Sequence, residues 1–189
     1  MPEPAFPHLK PDASRCAHVR GQSPVAGGIA QVLRDDGWTL ASEASAACWL
    51  IHVTGGREAD ATSILSDLRA FADSLDAKRV GGMLLILDLS HAASRAGEAP
   101  PPFAEALALR TLQAAVPLLA LEFAPRLRVN AIGILPPCPQ LPQGTPPADI
   151  AAALRFVIDA PALTGQMIAL DGGRTALVPA PGLGTPDQT

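Results

Sequence analysis

Three groups of residues in this chain have types and spacings that suit chemistry. The segment RGQSPVAGG places Gly21, Gly27 and Gly28 behind an apolar run, with Ser23 between them. A glycine-rich turn lets backbone approach a pyrophosphate and aims a helix N-terminus at it. Pro24 and Val25 stand where open backbone is wanted; proline has no N–H and valine resists positive φ. Ser90 and His91 adjoin at the end of GMLLILDLS and invite a nucleophile–base reading. Neighbours on an extended chain point to opposite faces, which argues against that pair. The four histidines (His8, His18, His52, His91) do not fall at ligand spacing, and Cys16, Cys48 and Cys138 form no CxxC. No metal site is expected.

The elements that would position these residues follow from hydrophobic patterning. Strands are expected over 15–21, 48–56, 82–90, 127–135 and 166–173, because each is a short apolar run, several of them closed by glycine. Helices are expected over 27–38, closed by Gly37, and over 61–79, where Ile64, Leu65, Leu68, Phe71, Ala72 and Leu75 share a face opposite Asp67 and Asp73. A third helix is expected from Phe103 to Ala124, with a kink at Pro117. A fourth would start with Thr145 as N-cap and Pro146 at N1 and stop before Pro161. Apolar strands alternating with helices predict an α/β, Rossmann-like, three-layer α/β/α fold with a mostly parallel sheet. Only residues 38–47 separate the first helix from the strand at Cys48, and at most one short strand, WTLAS, fits there. A parallel crossover takes a dozen or more residues. The N-terminal half is therefore expected to be shortened by one edge unit. Residues 1–14 read as an irregular arm, 15–178 as a single domain and 179–189 as a tail.

At 189 residues the chain suits one domain. Its net charge of -4 excludes the basic face that nucleic acid or an anionic membrane needs. The run MLLIL is too short to span a bilayer, and MPEPAFPHLK has no apolar signal core, so the expected location is the cytoplasm.

The segment LALEFAPRLRVNAI (119–132), followed by ADIAAALRFVIDAPALTGQMIALDGG (148–173), resembles the short-chain dehydrogenase/reductase family. Thr164-Gly165-Gln166 and Asp171-Gly172-Gly173 match its closing signature. The resemblance implies a catalytic tyrosine and lysine on the helix before RVNAI, at about Glu105 and Leu109. The chain has no tyrosine, and its only lysines are Lys10 and Lys78. Glu105 reads as a solvated first-turn carboxylate, because a carboxyl acts as an acid near neutrality only when burial raises its pKa. The family's serine would fall at Ser90 or Ser94. Its GxxxGxG turn is not kept, its Asn-Asn-Ala-Gly turn survives only as Gly55, and Ile134-Leu135 replaces its Pro-Gly. If a nucleotide binds, Gly21, Ser23, Gly55 and Ser90 are the residues to hold it.

Leu107, Leu109, Leu112, Val116, Leu118, Leu119, Leu121 and Phe123 wrap most of the third helix. A helix apolar all round is buried all round. The expected protein is a catalytically inactive dehydrogenase-like subunit with no catalytic residue and no cofactor of its own. It pairs with itself or with a full-length family member through the face carrying Leu112, Leu119 and Phe123. The alternatives are an NAD(P)-dependent oxidoreductase with substituted residues and a small-ligand sensor using the vacated pocket.

Overall fold

Aliphatic runs that are buried on both faces make the centre of the sheet. In the computed structural model, which describes residues 15–21, 23–54, 61–75, 81–92, 102–137 and 144–173, these runs are parallel strands. In chain order the elements are β1 (Cys16–Arg20), α1 (Pro24–Asp35), β2 (Thr39–Leu40), β3 (Trp49–Val53), α2 (Ala61–Ser74) and β4 (Gly81–Asp88). They are followed by α3 (Phe103–Phe123), β5 (Leu127–Ile134), α4 (Pro147–Asp159) and β6 (Met167–Leu170). The sheet order is β2-β1-β3-β4-β5-β6, and every described pairing is parallel. Leu84, Ile86, Ile132 and Ile134 face α1 and α4, whereas Met83, Leu85, Val129 and Ala131 face α2 and α3. The expected three-layer fold is present.

The short connection to β3 is explained by register. Leu40, the last residue of β2, and Trp49, the first of β3, both lie level with Ala17 of β1. The chain never climbs the sheet on β2. It moves only sideways past β1, about two strand spacings of roughly 4.8 Å. A single 3₁₀ turn, Ala44–Ala46, bridges the gap, and Ala41 and Ala44 pack on the α2/α3 side of the core. Against the doubly wound order 3-2-1-4-5-6, the described residues form no outermost strand beside β2.

Several boundaries differ from expectation. Helix α1 begins at Pro24, not Gly27, because Ser23 caps it: Ser23 Oγ accepts from Ala26 N at 3.3 Å, and Pro24 sits in the first turn. Strand β4 ends at Asp88, so Ser90 lies in a 3₁₀ turn, Leu89–His91. Thr145 is not the cap of α4; Pro146 takes that place and Pro147 opens the helix. Thr145 is instead buried, accepting from Leu135 N at 2.8 Å and donating to Leu170 O at 2.6 Å. It ties the ends of β5 and β6 together. Thr145→Val keeps the shape and strands two backbone groups, so the expected loss is about 2 kcal/mol or more. A urea midpoint indistinguishable from wild type would contradict this role.

The RVN and TGQ segments form one clamp. Gly165 N donates to Val129 O at 2.7 Å, and Val129 N donates to Thr164 Oγ1 at 3.1 Å. Asn130, fully buried, accepts from Gln166 N at 3.1 Å and donates to Leu163 O at 2.9 Å. Gly165 has φ 73 and faces Pro117 and Ala120 of α3, a conformation that side chains rarely adopt.

Helix α3 corrects the assignment of its faces. Leu112 and Phe123 are buried in the chain's own core against α2 and β5, and Leu119 packs beside them. The apolar residues left outside are Phe103 (82% exposed), Leu107 (53%), Leu118 (66%) and Leu121 (79%). With 21 residues and a mean hydropathy of 1.4, α3 is long and apolar enough to cross a bilayer, which no short apolar run had suggested. Its place in the β4–α3–β5 crossover holds it along the sheet instead.

Candidate functional site

In open α/β sheets ligands lie beyond the carboxyl ends of the strands, where the strand order reverses. Here the reversal falls between β1 and β3, since the chain goes from β1 outward to β2 and then back to β3. Gly21, Ser23, His52, Thr54, Asp88 and Ser90 gather at the carboxyl ends that surround this point.

Gly21 ends β1 with φ 143, and a Cβ there would meet Val53 O at 2.9 Å and Val53 Cβ at 3.0 Å. This close approach accounts for the glycine without any ligand. Ser23 is spent on α1: its carbonyl accepts from Ala26 N at 3.0 Å and Gly27 N at 3.3 Å, and its hydroxyl caps the same turn. Gly27 and Gly28 lie inside α1 and face open space. They serve neither a turn nor close packing on a strand. Gly55 and Ser94 lie outside the described residues.

Thr54 is buried and stitches β3 to β4, donating from Oγ1 to Ile86 O at 2.9 Å and accepting from Asp88 N at 3.2 Å. Asp88 Oδ1 accepts from Ser90 N at 2.8 Å, so Ser90 is a turn residue held by the carboxylate before it. Glu105 is half-buried in the first turn of α3. Leu109, one turn further on, is 6% exposed and packed in the core.

The described residues offer a dinucleotide few of the contacts it wants. Its pyrophosphate wants backbone amides at the first turn of α1, and there Pro24 has none while Ala26 and Gly27 are taken by Ser23. Its adenosine ribose wants a polar side chain at the carboxyl end of the second strand. Strand β2 stops at the level of Ala17, at the opposite end of the sheet. At the position expected for the ribose-holding lysine stands the hydrocarbon of Leu109.

One cluster escaped the sequence reading. Arg20 ends β1 and pairs in register with His52 of β3, so both point to the α2 side. Asp67 of α2 meets them: Arg20 Nη1 lies 2.9 Å from Oδ1 and His52 Nε2 lies 3.7 Å from Oδ2. Asp67 is therefore drawn into the sheet corner, not set on a solvated face. The available signal was His52 itself, the one basic residue inside the apolar run CWLIHV. No group of three or more His, Cys, Asp or Glu able to hold a metal occurs among the described residues.

The fold and this crevice define a Rossmann-like α/β protein. Residues 100–170 match the family model of short-chain dehydrogenase-like proteins. No curated protein matches the chain. Among solved structures, it is similar to FolM alternative dihydrofolate reductase 1 from Brucella suis, in complex with NADP (TM-score 0.64, 18% identity, 88% of this chain and 97% of that one). It is also similar to the Pseudomonas aeruginosa RhlG/NADP active-site complex (TM-score 0.60, 17% identity, 85% and 96%). A third is the enoyl-[acyl-carrier-protein] reductase (NADH) from Aquifex aeolicus (TM-score 0.64, 15% identity, 87% and 98%). At these identities the likeness is one of fold. The chain thus resembles these solved structures in fold over 85–88% of its length and the short-chain dehydrogenase-like family in sequence over residues 100–170.

Proposed function

We propose that this chain is a dehydrogenase-like subunit without hydride-transfer activity of its own, which assembles through the outer face of α3 with a second chain of the same fold. The partner is a copy of itself or a full-length family member. The carrying observation is the exposure of Phe103, Leu107, Leu118 and Leu121 along one side of a helix whose other side fills the core. Contiguous apolar surface of this kind marks an interaction site in a soluble protein. Leu107 and Leu121 stand seven residues to either side of Ala114, also on the outer side. Two such helices crossing antiparallel at Ala114 would place each Leu107 on the partner's Leu121, the self-complementary pattern that a two-fold interface requires.

The absence of a tyrosine and the hydrocarbon at Leu109 support the inactive reading. NADP in the solved structures of similar fold favours the second reading, an NAD(P)-dependent oxidoreductase with substituted residues. Light scattering of the purified protein tests assembly: a monomer at all concentrations, with no companion chain co-purifying, removes the subunit reading. Cofactor titration separates the two readings, because hydride transfer needs a bound nicotinamide.

A further inference from the structure

His52 occupies a site that neither hydride transfer nor assembly uses. It is nine-tenths buried at the carboxyl end of β3. Among the described residues, the groups around it come from β1, α2 and β4. Arg20 and His18 come from β1, Asp67 from α2, and the apolar Leu85 of β4 lies opposite in register. Nε2 faces Asp67 at 3.7 Å, whereas Nδ1 is buried and has no hydrogen-bond partner among the described residues.

A neutral imidazole has one N–H to place, and an imidazolium has two. Asp67 can receive only the one on Nε2. A proton on Nδ1 would be a charged, unmet donor in a dry place, which costs several times more than an unmet neutral one. The charge is tolerated only if water reaches Nδ1, and α2, whose Asp67 faces the ring, is the described element that would draw back from the ends of β1 and β3 to admit it. Both halves of α2 bury side chains in the core, and the C-terminal half has a further tie to the backbone. Its C-terminal half is anchored by Phe71 and Ala72 in the core and by Arg126 Nη2 donating to Ala72 O at 3.1 Å. Its N-terminal half reaches the corner through Ile64, Leu68 and the Asp67 contacts.

We propose that His52 is a proton-operated latch: uncharged, it lets the N-terminal half of α2 close on the carboxyl ends of β1 and β3, and protonated, it opens that corner of the crevice. Burial pushes the imidazole below its usual range. Asp67 opposes the shift, and Arg20 and His18 reinforce it. The folded state therefore prefers the neutral ring. Stability is intact above the unfolded-state value of 6.5 and falls as pH drops below it.

The test is NMR titration of the histidine rings with amide hydrogen exchange on the full chain at pH 7.5 and 5.5. His52 is expected to titrate below 6.5. Protection of the α2 amides from Ile64 to Leu68 is expected to fall about tenfold or more at the lower pH, the equivalent of one pKa unit, while those near Ala72 hold. His52→Gln is expected to abolish the difference and His18→Gln to leave it in place. If His52→Gln does not fold, Asp67→Asn serves: loss of the carboxylate should lower the His52 pKa and move the opening to a lower pH. A His52 that titrates at or above 6.5, or an α2 protection that does not change with pH in the wild type, overturns the latch.

Discussion

Replacing Leu118 and Leu121 by glutamate is expected to yield a folded monomer, whereas the single change Leu112→Glu is expected to yield no folded protein. All three residues lie on α3, and only their side of the helix differs. Leu118 and Leu121 are 66% and 79% exposed, so among the described residues little packs over them. Burying the pair against a partner is worth roughly 3–6 kcal/mol per protomer. Two charges in that seam add a desolvation cost, so the dissociation constant should rise by more than about 100-fold. Leu112 is 2% exposed among the side chains of α2 and β5. Losing its packing alone costs about 2–5 kcal/mol, and a buried, unpaired carboxylate costs more. A domain of this size has about 5–15 kcal/mol in total. Light scattering reads the first effect and circular dichroism the second. A Leu118→Glu/Leu121→Glu variant that still assembles like the wild type would place the interface elsewhere. A stable, folded Leu112→Glu would contradict the packing described for α3.

No NADPH- or NADH-dependent turnover above buffer is expected across carbonyl substrates, and no micromolar binding of either cofactor. A positioned proton donor contributes roughly 10²–10⁴-fold, and here none stands on α3 where the family places it. At the first turn of α1 Pro24 has no N–H and Ser23 takes those of Ala26 and Gly27, and β2 ends at the level of Ala17. Restoring the missing pair by Glu105→Tyr and Leu109→Lys should not create activity. Leu109 is packed in the core, and a lysine there would bury an ammonium among leucines. The expected result is a destabilised protein with the same null turnover. Isothermal titration showing one tight NADPH site per chain, with turnover abolished by Glu105→Gln, would instead establish the oxidoreductase reading.

Much of the architecture was legible because the signals were local. Runs such as MLLIL and WLI are strands buried on both faces, and Gly37, with φ 78, closes α1 as its position implied. The family likeness was legible too, through RVN and TGQ. Their hydrogen bonds show why: Asn130, Thr164 and Gly165 form a backbone clamp, which depends on a few residue types at fixed places. That clamp is structural: it joins β5 to the turn before β6 whatever residues stand on α3.

Other features depend on which parts of the chain meet. Helix α3 is apolar around most of its circumference, so periodicity could not say whether Leu112 or Leu121 faces the sheet; packing on β5 decided it. Thr145 before two prolines resembled a cap until β6 brought Leu170 O within reach of its hydroxyl. The short connection to β3 read as a deletion, but only the register of Leu40 and Trp49 on Ala17 showed how so few residues can cross. Arg20, His52 and Asp67 are far apart in the chain and carry no motif. The sequence by itself determined the strands, the helices and the RVN and TGQ segments of the clamp, because each is set by residue type within one segment. The tertiary structure alone decided which apolar face stays open and which polar groups share a corner, because burial and pairing belong to contacts between segments.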